Sequence, residues 1–284
     1  MTTKERNRIK TDQAWNKLHT RLDKEGLLDN AKPRHILHPA LRKWGIAASV
    51  AAILCLVLYT TLLRNEGSSA KGPSLLTRQN TEVTTSLVTT LEDGSIVYLT
   101  ENTSLQYPEH FSTDKREVSL SGNALFDITG NRARPFLIET ESVQVEVLGT
   151  SFNVKSNEKS PFELSVKRGE VKVTSKKSGE NIHVKAGETV FLHSDKLHKE
   201  QTRDAEVFNR YTERIRFKDE KLGNILRVLN LQSPDIQIRT TPELENRLLT
   251  VTFYNNTPET MSELICRVLH LKHTQNGNMI TLSE

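Results

Sequence analysis

The sequence predicts a single-pass membrane protein with an all-β domain, a β-sandwich or a solenoid, followed by a small α+β domain with repeated βαβ units. Three observations lead there. The run Gly45–Leu63 holds nineteen residues without one Asp, Glu, Lys or Arg. Between residues 81 and 200, short runs rich in Val and Ile recur, with turn signals about every ten residues. From residue 214 onward, strand-like runs alternate with two apolar helical stripes.

The apolar run comes first because it divides the chain. As a helix rising about 1.5 Å per residue it reaches roughly 28 Å, close to the ~30 Å hydrocarbon thickness of a bilayer. Trp44 stands at its near edge, where an indole favours the headgroup region. The predicted transmembrane helix is therefore 44–63. A buried core helix is the alternative, but so long an apolar run is unusual in a chain of mean hydropathy −0.50. A cleaved signal peptide ending near Ser68-Ser69-Ala70 is the other, against which stand a long leader and an over-long apolar run.

Residues 1–43 contain eleven Lys or Arg against five Asp or Glu, whereas the remainder has 28 basic and 30 acidic residues. The basic excess of the whole chain thus precedes the span. The positive-inside bias puts that end in the cytoplasm and the C-terminus on the far side of the membrane. A sequence pI near 9.0 is on this reading a topology signal more than a nucleic-acid signal.

Within 1–43, Thr11 or Asp12 is placed to cap a helix ending at Gly26. Trp15, Leu18 and Leu22, at i, i+3 and i+7, form one apolar stripe, with Lys17, Arg21 and Lys24 on another face. A lone helix of that length is marginal in water and has no second helix in the segment to cover it. A groove on another protein or the anionic inner leaflet would complete it.

Segment 64–80, opening with NEGSSAKG, reads as a linker. The all-β domain, 81–200, includes strands at Ser95–Thr100, Arg116–Leu120, Leu125–Ile128, Phe136–Glu139, Val143–Leu148, Phe152–Lys155 and Glu170–Thr174. Asp93-Gly94 before the first of these is a type I′ hairpin signal. Spacing assigns no catalytic triad, paired-acid cleft or phosphate loop, so an enzyme is disfavoured. No cofactor and no metal ligand set is expected. His270 and His273 have no third ligand at suitable spacing. Cys55 in the span and Cys266 in the last domain are not placed to form an intrachain disulfide.

Five stretches carry a resemblance: LEDGSIVYLTENTSLQYPEHF (91–111), REVSLSGNALFDI (116–128), RPFLIET (134–140), VEVLGTSFNV (145–154) and VKRGEVKV (166–173). In this order they resemble the FecR family of inner-membrane anti-sigma regulators. Glu92, Thr100 and Asn123 depart from residues common in that family. The resemblance implies that segment 1–43 holds an extracytoplasmic-function sigma factor, with Trp15, Leu18 and Leu22 as anchors. It also implies that the outer part reads a TonB-dependent outer-membrane transporter and that proteolysis frees the sigma factor. A membrane-tethered periplasmic binding adaptor is the alternative reading.

The resemblance further implies that Gly149-Thr150 is a site of self-cleavage. A hydroxyl directly after a glycine carbonyl has the chemistry for an N→O acyl shift if the turn strains the peptide. A turn or bulge glycine followed by a strand threonine is the bland reading, and sequence alone assigns no general base.

Segment 201–213 is polar and reads as a linker. The last domain, 214–284, runs strand Ile215–Phe217, helix Glu220–Leu231, strand Ile236–Arg239 and strand Thr250–Phe253. A helix capped by Thr257 with Pro258 at its first position follows, then strands Leu271–Thr274 and Met279–Leu282 around Asn276-Gly277. This part resembles the C-terminal domain of FecR-type proteins of Bacteroidetes, which is similar to the secretin/TonB short N-terminal fold.

Overall fold

The computed structural model describes residues 3–25, Leu56, Tyr59, 74–157 and 161–284. The predicted span 44–63 therefore lies outside the described residues, apart from Leu56 and Tyr59. Among the described residues no helix is long and apolar enough to cross a membrane. The chain divides into two compact units, Met1–Ala70 and Lys71–Glu284.

In the first unit, α1 covers Thr3–Lys24, 22 residues. It begins well before the expected cap, so Thr11 and Asp12 are interior positions rather than N-caps. The reason is local: residues 4–10, KERNRIK, hold no Gly or Pro and several strong helix formers, so nothing stops the helix there. Gly26, the expected C-cap residue, lies outside the described residues.

The second unit is a two-layer β structure with one strand common to both layers. The first layer runs β1 (Leu75–Asn80), β4 (Thr103–Pro108), β5 (Arg116–Asp127), β6 (Phe136–Glu139), β7 (Val143–Val147), β10 (Glu170–Ser175) and β11 (Asn181–Lys185). The second runs β13 (Lys196–Gln201), β12 (Glu188–His193), β9 (Glu163–Arg168), β8 (Ser151–Ser156), β5 again, β3 (Ile96–Leu99), β2 (Ser86–Thr90), β14 (Arg214–Lys221) and β16 (Leu248–Tyr254).

Strand β5 is one strand where the sequence suggested two. Its first half pairs β4 and β6, and its second half, from Gly122, pairs β3 and β8. Gly122 makes the corner: its φ is +109, and a Cβ there would meet the Thr103 Cα at 2.8 Å. The core lies between the layers, with Val118, Phe136, Ile138, Val145 and Val171 from the first and Val97, Phe126, Phe152, Val154 and Leu164 from the second. Phe126 and Phe152 stack at 5.4 Å between ring centroids. The sandwich alternative is the observed one.

Strand β1 falls inside the segment 64–80 expected as a linker; it pairs β4 over all six of its residues. The 201–213 segment is likewise no free linker. Its two short 3-10 turns, Ala205–Val207 and Asn209–Tyr211, bury Val207, Phe208 and Tyr211.

The C-terminal segment adds α2 (Leu222–Gln232), β15 (Gln237–Thr240), α3 (Pro242–Glu245), α4 (Pro258–Leu269), β17 (Lys272–Asn276) and β18 (Met279–Ser283). The element order matches a doubled β–α–β, but the strands do not share one sheet. Strands β14 and β16 complete the second layer, with β14 parallel to β2, whereas β15, β18 and β17 form a separate three-stranded sheet. Each long helix thus links two sheets and is no parallel crossover. Apolar residues Ile225, Leu226, Leu229, Ile265 and Cys266 pack with Val88, Ile96, Tyr98 and Leu125 of the second layer in one cluster. Strands β2 and β3 are consequently covered on both faces, which explains why all of their residues but Thr90 are buried.

Two turns depart in detail from expectation. At Asp93-Gly94 the Leu91 N–H bonds the Ser95 carbonyl at 2.9 Å and the Gly94 N–H bonds the Leu91 carbonyl at 3.0 Å. Only Gly94 has positive φ, +83, so this is a three-residue loop and not a two-residue I′ turn. Thr257 does cap α4, accepting from the Thr260 N–H, with Pro258 at the first position.

Candidate functional site

Four separated glycine turns meet at one end of the sandwich. Gly149, φ +157, approaches Gly130 so closely that a Cβ on it would lie 2.6 Å from the Gly130 Cα. A Cβ on Gly169 would lie 2.7 Å from Thr150 Cγ2 and 3.2 Å from the Gly149 carbonyl oxygen. The Ile128 N–H bonds the Thr150 carbonyl at 2.9 Å, and the Asn131 N–H bonds the Leu148 carbonyl at 2.7 Å. Side chains at 149 or 169 would force these backbones apart, which is why glycine stands at both.

The fourth turn, Asp93-Gly94, is tied in by Arg116. This guanidinium is 1% exposed. Its Nη1 donates to Asp93 Oδ2 at 2.6 Å and to the Thr129 carbonyl at 2.9 Å, and its Nε donates to the Arg134 carbonyl at 2.9 Å. It also lies 5.3 Å from the Phe136 ring centroid. A buried cation needs such partners. They fix the turns of residues 91–95 and 129–134 relative to β5.

Thr150 is 2% exposed, and its Oγ1 has no hydrogen-bond partner. An unpaired buried hydroxyl is uncommon and unfavourable by about 1–3 kcal/mol. Beside it opens a cleft of about 600 Å³ whose lining includes Gly130, Gly149, Thr150, Glu170, Lys172 and His183. The register places Glu146, Lys172 and His183 side by side across β7, β10 and β11. His183 Nδ1 lies 2.9 Å from Glu170 Oε1, and Lys172 Nζ donates to Glu146 Oε2 at 3.2 Å. The cleft therefore presents an imidazole paired with a carboxylate, alongside a peptide whose glycine is wedged against a neighbouring backbone.

The FecR protein family model matches residues 77–172. Residues 77–172 are a FecR domain. That stretch contains Asp93, Arg116, Gly130, Gly149, Thr150 and Gly169, so the glycine turns and the ion pair are internal to the FecR domain. His183, on the cleft wall, lies beyond the matched stretch.

No curated protein matches the chain. Two crystal structures of a candidate anti-sigma factor from Parabacteroides distasonis ATCC 8503, at 1.65 and 2.50 Å resolution, are similar at 22% identity. Each aligns over 74% of this chain and 99% of its own, with TM-scores of 0.44 and 0.46 respectively. Superpositions this loose determine neither the fold nor the activity.

The other residues singled out in the sequence lie in the first unit, on α1. Trp15 is 60% exposed and Leu18 47%, while Leu22 is half-buried. Sequence reasoning singled out Gly149 and Thr150 but not Gly130, Gly169, Arg116 or His183. The glycines were visible in the motifs, but nothing in the sequence says which turns touch. Cys266 is buried on α4, and burial pushes its thiol pKa up, with the nearby Glu263 charge adding to it.

Proposed function

We propose that the chain is an anti-sigma factor that carries a signal across the inner membrane. The observation that carries this reading is the FecR domain on a chain whose other compact unit includes a helix, α1, with an exposed tryptophan and leucine. An amphipathic helix with such a stripe is half of a helix-in-groove interface. On this reading the other half is an extracytoplasmic-function sigma factor. Trp15, Leu18 and Leu22 are its anchors, because binding energy concentrates in aromatic and aliphatic groups that become fully desolvated.

The span 44–63 then crosses the membrane with the N-terminus in the cytoplasm. The unit from Lys71 to Glu284 stands in the periplasm, where it reads the state of a TonB-dependent outer-membrane transporter. Proteolysis of the outer part and the span releases the sigma factor. Purification of the tagged chain from membranes, with residues 1–43 present or deleted, tests this. A sigma factor is expected with the full chain and not with the deletion; equal recovery from both, or from neither, sinks the proposal. Failure on both arms would leave the membrane-tethered adaptor.

Self-cleavage at Gly149-Thr150 belongs to the same reading. Thr150 Oγ adds to the Gly149 carbonyl carbon, the C–N bond breaks, and the Thr150 nitrogen takes the hydroxyl proton to become a free amine. Water then hydrolyses the ester, leaving a Gly149 carboxylate and restoring the hydroxyl. The unpartnered Oγ1 and the wedged glycine support the step, and His183 with Glu170 offers a base on the cleft wall.

A further inference from the structure

Strand β16 ends the larger sheet, pairing β14 and no other described strand. Its sequence, LLTVTFY, has no charged residue and no proline. Charges and prolines are the usual means by which an edge strand refuses a new neighbour. The other end strands all carry a charge: Arg78 in β1, Lys185 in β11, Lys196 in β13, Arg239 in β15 and Lys272 in β17. The β15 edge is also blocked, because Asn230 Nδ2 donates to the Ile238 carbonyl at 2.9 Å while its Oδ1 accepts from the Ile238 N–H at 2.7 Å. Strand β16 carries no charge, and the side-chain bond to its outward edge, Asn256 Oδ1 to the Tyr254 N–H, lies at its last residue.

The phase of the ladder shows which of its groups are open. The Asn255 N–H bonds the Glu213 carbonyl at 2.8 Å. By the alternation of an antiparallel pair, residues 251 and 253 turn their backbone groups to β14, and 250, 252 and 254 turn theirs outward. The Tyr254 N–H fits that phase, since it is met from outside the pair by Asn256 Oδ1 at 2.7 Å. The outward groups of Thr250 and Thr252 form the middle of the open edge.

The strand is also chemically symmetric about Val251. Thr250 answers Thr252, Leu249 answers Phe253, and Leu248 answers Tyr254. We propose that β16 pairs antiparallel with β16 of a second copy of this chain, about a two-fold axis through Val251.

In that register Thr250 of each copy forms a hydrogen-bonded pair with Thr252 of the other. The two Val251 residues face each other as a non-hydrogen-bonded pair. Leu248, 62% exposed, lies opposite Tyr254, 57% exposed, twice. Apolar–aromatic and Thr–Thr pairs are favourable cross-strand neighbours, and no like charges are opposed. A slip by one residue would turn the buried face of one strand against the open face of the other, and a slip by two would lose both Leu248–Tyr254 pairs, so this register is favoured. An unrelated strand would satisfy the backbone equally well but would not require this symmetry. The contact is isologous and closes at two copies. It does not depend on what α1 binds or on cleavage at Thr150.

The test uses the full chain. Val251→Cys, treated with a mild oxidant, is expected to give a band at twice the 32.2 kDa chain mass on a non-reducing gel. Non-hydrogen-bonded pairs have Cα atoms about 4.5 Å apart, within disulfide reach. The wild-type chain, which keeps Cys55 and Cys266, is the control and is expected to give none. By light scattering the wild type is expected to dimerise. The double variant Thr250→Lys/Thr252→Lys, which sets lysine opposite lysine twice, should weaken the dimer about tenfold or more. A wild-type monomer at micromolar concentrations, a dimer indifferent to the two lysines, or a cysteine variant that cross-links no better than wild type would each overturn the proposal. Recovery of β16 paired to a foreign strand, with no self-association, would do so as well.

Discussion

Arg227, on α2 of the C-terminal segment, donates through Nη2 to the Gly94 carbonyl at 2.6 Å, across 133 positions of chain. Gly94 closes the β2–β3 loop of the FecR domain. Its φ of +83 calls for glycine, and a Cβ on it would meet Arg227 Nη1 at 2.5 Å, so a side chain there would displace the guanidinium from the loop. The neighbouring Asp93 holds Arg116. One row of polar contacts therefore runs from the C-terminal helix through the loop to the first-layer end of β5.

Replacing Arg227 with Ala should loosen both sides of that contact together. A charge-assisted bond to a partly buried carbonyl is lost, for roughly 1–3 kcal/mol. Hydrogen exchange should quicken at residues 91–95 and along α2 in the same variant. Faster exchange at only one of the two sites would mean that they are not coupled.

The Asp93–Arg116 pair is nearly removed from solvent, at 9% and 1% side-chain exposure. Asp93→Ala leaves a buried cation with two carbonyl partners and no anion, for an expected loss of roughly 3–5 kcal/mol. Urea titration reads this directly. The double variant Asp93→Ala/Arg116→Met should lose less than the sum of the two single changes, because the unpaired charge is gone.

Tyr98 is buried, and burial first of all pushes its hydroxyl pKa up to about 12, partly offset by a bond from Gln232 Nε2 at 3.3 Å. The folded pKa is raised above the ordinary value of 10.0, so the stability held by the neutral hydroxyl is present below pH 10 and is lost as pH rises toward about 12. The loss amounts to about 2–3 kcal/mol for a shift of that size. Tyr98→Phe should show a flatter fall in stability across this window, measured by urea midpoints. Equal slopes for the two proteins would contradict it.

At the cleft, stability and chemistry should separate. Thr150→Val keeps the shape and removes an unpaired buried hydroxyl, so stability is expected to hold or rise by about 1 kcal/mol. Cleavage into fragments 1–149 and 150–284, read by mass spectrometry, should cease. Gly149→Ala drives a Cβ against the Gly130 backbone and should cost about 1–3 kcal/mol. Wild-type fragments should co-purify, because β8, which begins just after the cut, pairs β5 across it.

Much of the architecture was legible where the signal is local. Phe136–Glu139 is a strand with the expected limits, and α4 begins at Pro258 under a Thr257 cap as expected. Alternation, caps and turn glycines act within a few residues, so a sequence displays them. The LGTSF motif likewise identified Gly149 and Thr150. What made them a site, Gly130 against one and Gly169 against the other, lies about twenty residues away in either direction. No local rule pairs those turns.

By itself, then, the sequence determined the alternating β segments of the FecR domain, the stripes of α2 and α4, and the order of elements from 214 on. Apolar periodicity and backbone preference decide these before any long-range contact forms. Only the tertiary structure decided that β14 lies parallel to β2, that β5 turns a corner at Gly122 and serves both layers, and that 201–213 is packed rather than free. It also left β16 as the uncharged edge. Those outcomes depend on which faces are buried against each other, and a strand's period says that it has a buried face without saying what will cover it.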